Sequence, residues 1–143
     1  MSVPLAWDEF VDAARRCGWT AFLGTADDQG RPTVAVVAPG FADGALWFAS
    51  WASARKVRNL RVNSAVALHW PLAEGAPGEV AAWGTATLHE GDDERRRLWT
   101  SGVLPYDPAS FFRSPDGPMV FVEVAVTRAR LLTADHVTHV WRP

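Results

Sequence analysis

The chain has 143 residues, of which 48% are hydrophobic, and a formal net charge of −2 at pH 7. A chain of this size forms one domain with a sizeable core, and its charge creates no overall basic field that attracts nucleic acid. It lacks the run of about 20 apolar residues that spans a bilayer, and its first residues lack the pattern of a signal peptide. We therefore expect one cytoplasmic domain over residues 1–143, with no nucleic-acid or membrane partner.

The first half of the chain predicts a helix, a hairpin and a second helix among short strands. Apolar residues at helical spacing predict the first helix, and Gly18 is placed to end it. The turn residues 27–30 join two apolar strands into a hairpin. The predicted elements are, in order, a helix over 7–17, strands over 19–26, 31–38 and 45–50, a helix over 54–63 and a strand over 65–70.

The second half predicts longer strands and one more helix. Gly84 interrupts the longest strand, and a glycine at such a position indicates a bulge or a close backbone approach. Residues 102–118 are rich in Pro and Gly with interspersed aromatic residues, which predicts an ordered loop over apolar surface. The predicted elements are a strand over 79–90, a helix with an acidic start at 91–94, a strand over 119–126 and a short pair over 129–132 and 138–141. Six or so strands with short helices between them indicate a mainly β fold, a small closed or partly open barrel.

The segment from Ser53 to Leu60 begins a helix with cations, in the order Ser-Ala-Arg-Lys-Val-Arg-Asn-Leu. The first turn of a helix carries partial positive charge and unpaired N–H groups, so acidic residues are favoured there and Arg or Lys are not. A bound phosphate resolves this conflict if Ser53 caps the helix and Arg55 and Lys56 provide charge-assisted donors. A solvated basic helix face that tolerates a small dipole penalty is the alternative, and these residues alone do not decide between the two.

Several other signatures of chemistry are missing from the sequence. The chain has no Gly-rich dinucleotide fingerprint, no Walker-type loop and no Gly-x-Ser-x-Gly elbow. The single cysteine, Cys17, has no matching His and Asp arrangement, which favours a buried structural thiol. His136 and His139 lie three residues apart without a third ligand, which favours exposed histidines over a metal site. We therefore expect no metal and no catalytic side chain.

Eight tryptophans are a large number for this length. Such side chains contribute most where a core, an interface or a planar ligand is covered. Core packing is the expectation for Trp19, Trp47, Trp83 and Trp99, and a subunit interface is the expectation for Trp70 and Trp141. Trp51 is set apart because it lies between Ser50 and Ser53, at the predicted phosphate turn.

The order of elements around this turn resembles the flavin split-barrel family typified by pyridoxamine 5'-phosphate oxidase. The resemblance rests on a hairpin, the segment Leu46–Leu60, a strand, and the Gly-containing strand Val80–Ala86. It implies a six-stranded antiparallel split β-barrel and a homodimer with two FMN sites at its interface. The residues implied at the FMN phosphate are Ser50, Ser53, Arg55 and Lys56, with Trp51 among them, and those implied along the ring edge are Thr33, Val34, Ala35 and Val36.

Two positions depart from the pattern of the oxidase. The chain has Ala38 where the oxidase places a lysine, and Glu79 where a flavin-contacting glutamine is expected. Oxidation of pyridoxamine phosphate itself is therefore not expected. The chain is more similar to the short general-stress and actinobacterial branches, of which some bind FMN, some a deazaflavin coenzyme and a few haem.

The resemblance therefore implies a homodimeric FMN-binding oxidoreductase that transfers a hydride or electrons to a small substrate. One alternative is a reductase that depends on the deazaflavin coenzyme F-420 and uses the same cationic turn. The other alternative is a non-catalytic module that binds flavin or haem. Haem would need an axial ligand, for which His69 and His136 are the candidates.

Overall fold

Nine strands form a single sheet with three α-helices and one short 3₁₀ turn around it. The computed structural model describes residues 1–143. The strands are β1 (Val3–Pro4), β2 (Ala21–Ala26), β3 (Pro32–Val37), β4 (Gly40–Ala42), β5 (Ala45–Trp51), β6 (Ala65–Trp70), β7 (Gly78–His89), β8 (Met119–Thr133) and β9 (Thr138–Trp141). The α-helices are α1 (Trp7–Cys17), α2 (Arg55–Val62) and α3 (Asp92–Trp99), and the 3₁₀ turn covers Pro108–Ser110. None of the helices is long and apolar enough to cross a membrane.

The strands pair in the order β1-β9-β8-β7-β6-β2-β3. Two further strands lie off this path, because β5 also pairs with β8 and β4 pairs with the other edge of β5. All neighbours are antiparallel except β1 and β9. The path does not close, since β3 pairs with β2 alone and β4 with β5 alone. The prediction of a mainly β split barrel is confirmed. Its six strands correspond to the six long ones, and β1, β4 and β9 are short additions.

Two apolar clusters hold the sheet and the helices together. The larger has 24 buried residues and includes the buried faces of α1 and α2, with Phe10 and Val57 fully enclosed. The smaller lies under the loop 102–118 and joins it to α3 and to β8, with Trp47 and Phe121 among its members. The prediction that this loop covers apolar surface is therefore confirmed.

The long pairing of β7 with β8 contains the irregularity that Gly84 predicts. The register shifts between Trp83 and Gly84, and a Cβ added to Gly84 would lie 2.3 Å from the carbonyl oxygen of Ala125. The expected break after residue 126 is wrong, because β8 continues to Thr133 on the other side of this bulge. The break in the sequence pattern after residue 126 therefore marks the bulge and not the end of the strand.

Two tryptophans differ from the expectation. Trp70 is 1% exposed and packs against Phe10 and Phe41, with ring centroids 5.9 and 6.2 Å apart, so it belongs to the core and not to a subunit interface. Trp19 is 64% exposed although core packing was expected. It follows the helix end at Gly18, where the chain is at the surface before β2 begins. Trp141 is half-buried against Trp7.

The close approach at Gly84 predicts a specific cost of substitution. We expect Gly84→Ala to lower the free energy of unfolding by about 1–3 kcal/mol, because its Cβ would overlap backbone that cannot move freely. Gly24→Ala is the matched control, since its Cβ would meet nothing closer than 3.6 Å. Urea unfolding followed by circular dichroism measures both variants. Equal stabilities of the two would contradict the expected role of the bulge.

Candidate functional site

Two cavities meet the first turn of α2, one apolar and one polar. The apolar cavity has a volume of about 300 Å³ and contains Lys56 as its single charged residue. The polar cavity has a volume of about 320 Å³ and has no hydrophobic lining residue. The apolar cavity is lined by Trp19, Thr20, Val36, Val37, Ala38, Ala49, Ser50, Trp51, Lys56, Tyr106, Phe111 and Phe112. The polar cavity is lined by Asp27, Arg31, Thr33, Arg55 and Asn59.

Aromatic side chains form one wall of the apolar cavity. Trp51 at the end of β5 meets Phe112 of the loop 102–118 edge to face, with ring centroids 4.8 Å apart. Tyr106 and Phe111 of the same loop form a second such pair at 4.9 Å. Burial raises the pKa of the Tyr106 phenol. These contacts order the loop and give the cavity planar apolar surfaces, which suit a flat ring system.

The start of α2 differs in one detail from the expectation. Its N-cap is Ala54, with φ −64° and ψ 147°, and no side chain caps the helix. The expected capping by Ser53 is therefore wrong, because the helix begins one residue later and Ser53 is exposed in the preceding turn. The first turn contains no acidic residue, and the backbone N–H groups of Arg55 and Lys56 have no acceptor within the helix. This helix start accordingly carries positive charge without any compensation from a cap or an acid.

Lys56 is half-buried and has no anionic partner in the apolar cavity. Burial lowers the pKa of its ammonium group, and no charged neighbour raises it again. An ammonium group in this position gains from any anion that enters, because the anion replaces lost solvation. Its neighbour Arg55 lines the polar cavity. The two adjacent cations thus stand together in the first turn of α2, each at the edge of one cavity.

A hydrogen-bonded network forms the floor of the polar cavity. Asn59 is 2% exposed, and its Nδ2 donates to the hydroxyl oxygens of Thr25 and Thr33, both at 3.0 Å. Arg31 pairs with Asp27, with Nε 2.7 Å from Oδ2. The backbone N–H and the guanidinium of Arg31 lower the pKa of the Asp27 carboxyl. The carboxyl of Asp27 thus pairs with Arg31, whereas Arg55, which lines the same cavity, forms no salt bridge.

The structure brings most of the predicted site residues to these two cavities. Val36, Ser50, Trp51 and Lys56 line the apolar cavity, and Thr33 and Arg55 line the polar one. Ala35 lies between them on β3, and Val34 points outward with 71% of its surface exposed. Glu79 lies away from both cavities of the protomer, beside His69 and Arg130.

Several lining residues were not predicted from the sequence. Trp19 and Thr20 belong to the linker after α1, and three aromatic residues belong to the loop 102–118. The signal for the loop was the concentration of aromatic residues among prolines and glycines. Trp19 carried no comparable signal, because an isolated tryptophan before a strand is typical of a core residue.

The geometry suits a ligand with an anionic end and a flat apolar end. Thr33 lines the polar cavity and Val36 the apolar one, and three residues of strand separate them by about 10 Å. Arg55 and Lys56 stand at the start of α2 beside both cavities. An anion bound there would gain two cationic side chains and two free backbone N–H groups.

Solved structures share this fold at low sequence identity. A protein from Clostridium acetobutylicum related to general stress protein 26, of the pyridoxinephosphate oxidase family, gives a TM-score of 0.74 at 14% identity over 96% of each chain. A pyridoxamine 5'-phosphate oxidase-related, FMN-binding protein from Nostoc punctiforme gives 0.65 at 14% identity over 97% of each chain. A haem-binding protein from Mycobacterium smegmatis gives 0.71 at 19% identity, over 98% of this chain and 59% of that one.

The solved structures establish only the fold of this chain, because their sequence identity to it is low. The family assignment rests on sequence comparison. No curated protein matches the chain in sequence. The family model described as pyridoxamine 5'-phosphate oxidase, however, matches residues 7–133, which is most of the chain and includes both cavities. The chain therefore belongs to the pyridoxamine 5'-phosphate oxidase family.

Proposed function

We propose that this protein binds FMN and transfers a hydride or electrons to a small substrate. The observation that carries the proposal is the start of α2, where two cations without acidic partners stand between a polar and an apolar cavity. In the proposed complex, Arg55, Lys56 and the free N–H groups of the helix bind the phosphate. The flat ring system occupies the apolar cavity.

The dimensions and the chemistry of the site support this arrangement. About 10 Å of the edge strand β3 separates Thr33 at the polar cavity from Val36 at the apolar one, a distance that a five-carbon chain between a phosphate and a ring spans. When bound, the flavin supplies the hydride or electron transfer. The protein positions it and excludes water with Trp51, Phe111 and Phe112. No side chain is required as an acid or a base.

We further propose a homodimer with the cofactor at the subunit interface. The outer face of β2 and β3 exposes Phe22, Val34 and Val36, and Phe22 lies directly opposite Val36 in the sheet. Contiguous apolar side chains of this kind are typical of an interface. Glu79 lies on this same outer face by strand register. Phe22 of β2 pairs with His69 of β6, and His69 pairs with Ala81 of β7. Glu79 is two residues before Ala81, so both side chains are on one face of β7. A dimer through this face would bring Glu79 to the interface.

The first test of the FMN proposal is binding itself. We expect the purified protein to be yellow, and Lys56→Ala to weaken FMN binding about tenfold or more, because a charge-assisted contact to phosphate is lost. Arg58→Ala is the matched control, since Arg58 is an exposed cation of the same helix that lines neither cavity. Quenching of FMN fluorescence measures all three affinities. A colourless protein that does not quench added FMN would contradict the proposal.

The lowered pKa of Lys56 predicts how FMN affinity depends on pH. Burial stabilises the neutral amine in the free protein, whereas the phosphate needs the ammonium form. The affinity should therefore decrease as the pH rises through this lowered pKa, and binding in that range should take up a proton. Lys56→Arg should retain its affinity to higher pH, because the guanidinium stays charged. Calorimetry in buffers of different ionisation enthalpy detects the proton uptake, and identical pH profiles for the two proteins would refute this role of Lys56.

The dimer proposal predicts the effect of a charge on the outer face. Phe22→Glu should convert the dimer to a monomer, because it places a carboxylate in an apolar interface. Val3→Glu is the control, since Val3 has a similar exposure but lies at the opposite edge of the sheet. Light scattering coupled to size-exclusion chromatography gives the mass of each variant. A wild-type protein of monomer mass would exclude the dimer.

Different experiments distinguish FMN from each of the two alternative cofactors, F-420 and haem. The deazaflavin coenzyme F-420 has the same need for an anion site, so titration with each cofactor distinguishes it from FMN. For haem, no histidine lines either cavity of the protomer, since His69 lies beside Glu79 and His136 lies in an exposed turn. A Soret band in the purified protein would favour haem over flavin. Bound flavin that is not reduced by a nicotinamide donor in stopped-flow experiments would favour a non-catalytic module.

A further inference from the structure

A third cavity, the side cavity, lies next to the apolar cavity and has a volume of about 430 Å³. The end of α1, the start of β4 and the first part of the loop 102–118 surround it. Its floor is aromatic, with the rings of Phe41 and Trp70 stacked at an interplanar angle of 25°. A cavity of this size accommodates a small organic molecule.

The side cavity and the apolar cavity are two parts of one cleft. Trp19 lines both of them. On one wall Ala38 faces the apolar cavity and the next residue, Pro39, faces the side cavity. On the opposite wall Pro105 lines the side cavity and the next residue, Tyr106, lines the apolar one. Any ligand of the side cavity is therefore an immediate neighbour of a ligand of the apolar cavity.

Arg15 gives the side cavity its chemical character. It is the single charged residue of the lining, and no carboxylate lines the cavity with it. Its guanidinium lies over the ring of Phe41, 5.7 Å from the centroid. The adjacent Arg16, in contrast, donates to the carbonyl oxygen of Gly75 and lies 3.9 Å from Asp12. Asp8 and Asp43 line a separate cavity on the other side of Phe41 that Arg15 also reaches, but Arg15 forms no salt bridge with either, so its charge is open to a ligand of the side cavity.

We propose that the side cavity is the substrate site and that it binds a planar aromatic molecule with a carboxylate group. The carboxylate pairs with Arg15, and the ring lies against the exposed Trp19, since Phe41 already stacks on Trp70 and lies under the Arg15 guanidinium. This inference rests on the proposed function, because the role of substrate site requires a flavin in the apolar cavity. The binding of an aromatic acid does not depend on the flavin and is testable on its own.

The test uses 2-naphthoate and its uncharged analogue 2-naphthamide as probes, with isothermal titration calorimetry on the full chain. We expect naphthoate to bind about tenfold more tightly than naphthamide, since one charge-assisted contact distinguishes them. Arg15→Gln should abolish this preference, and Arg15→Lys should retain part of it. Arg16→Gln is the control, and it should bind both probes like the wild type because Arg16 does not line the cavity.

The outcomes separate this proposal from the proposed function. Unchanged naphthoate affinity in Arg15→Gln, or no naphthoate binding by the wild type, would overturn the acid site. Displacement of naphthoate by FMN would also overturn it, because the two ligands would then share one cavity. FMN affinity should be the same in wild type and Arg15→Gln. Naphthoate binding that requires Arg15, in a protein that does not bind FMN, would support the acid site and refute the flavin.

Discussion

The pairing of β8 is the constraint on which the rest of the structure depends. This strand of 15 residues pairs with β7 along one edge, and its other edge takes β5 first and β9 afterwards. Because β5 is held there, its last residues Ser50 and Trp51 lie beside the end of β3 and the start of α2. The close backbone approach at Gly84 allows β7 to follow β8 through its whole length. The site is thus assembled from segments that are distant in sequence.

The rigid sheet makes an unfavourable helix start tolerable. Two cations in the first turn of α2 oppose the helix dipole, and burial of Lys56 adds a desolvation cost. The helix is held by its buried face, because Val57 is fully buried and Asn59 donates to the threonine hydroxyls of β2 and β3. Tertiary contacts therefore stabilise an arrangement that local preferences disfavour. Conflicts of this kind are expected at functional sites, where a ligand relieves them.

The sequence allowed most of the elements to be predicted, and it singled out residues that the structure places at the candidate site; the reasons for the failures are physical. Apolar periodicity and turn residues are local signals, so the strand 65–70 was predicted with both of its ends. The conflict of charge in Arg55 and Lys56 is also local. The exposure of Trp19, the partners of Glu79 and the continuation of β8 past Gly84 depend on which strands become neighbours, and local pattern does not contain that information.

Under the proposed function, the division of the cleft into cavities means that the anion site alone would not determine which cofactor binds. In the proposed complex, cofactors with a phosphate and a flat ring would share the contacts to Arg55 and Lys56, so selection among them would fall to the apolar cavity. Ala38 contributes no charge at the end of β3, which leaves Lys56 as the single charge of that cavity. Its other walls are mainly aromatic and aliphatic, so they recognise a ring by shape and stacking. The side cavity beside it has a cation of its own, Arg15 of α1. In the proposed complex, a negatively charged substrate would therefore be held by the cation of the side cavity and not by a cation at the end of β3.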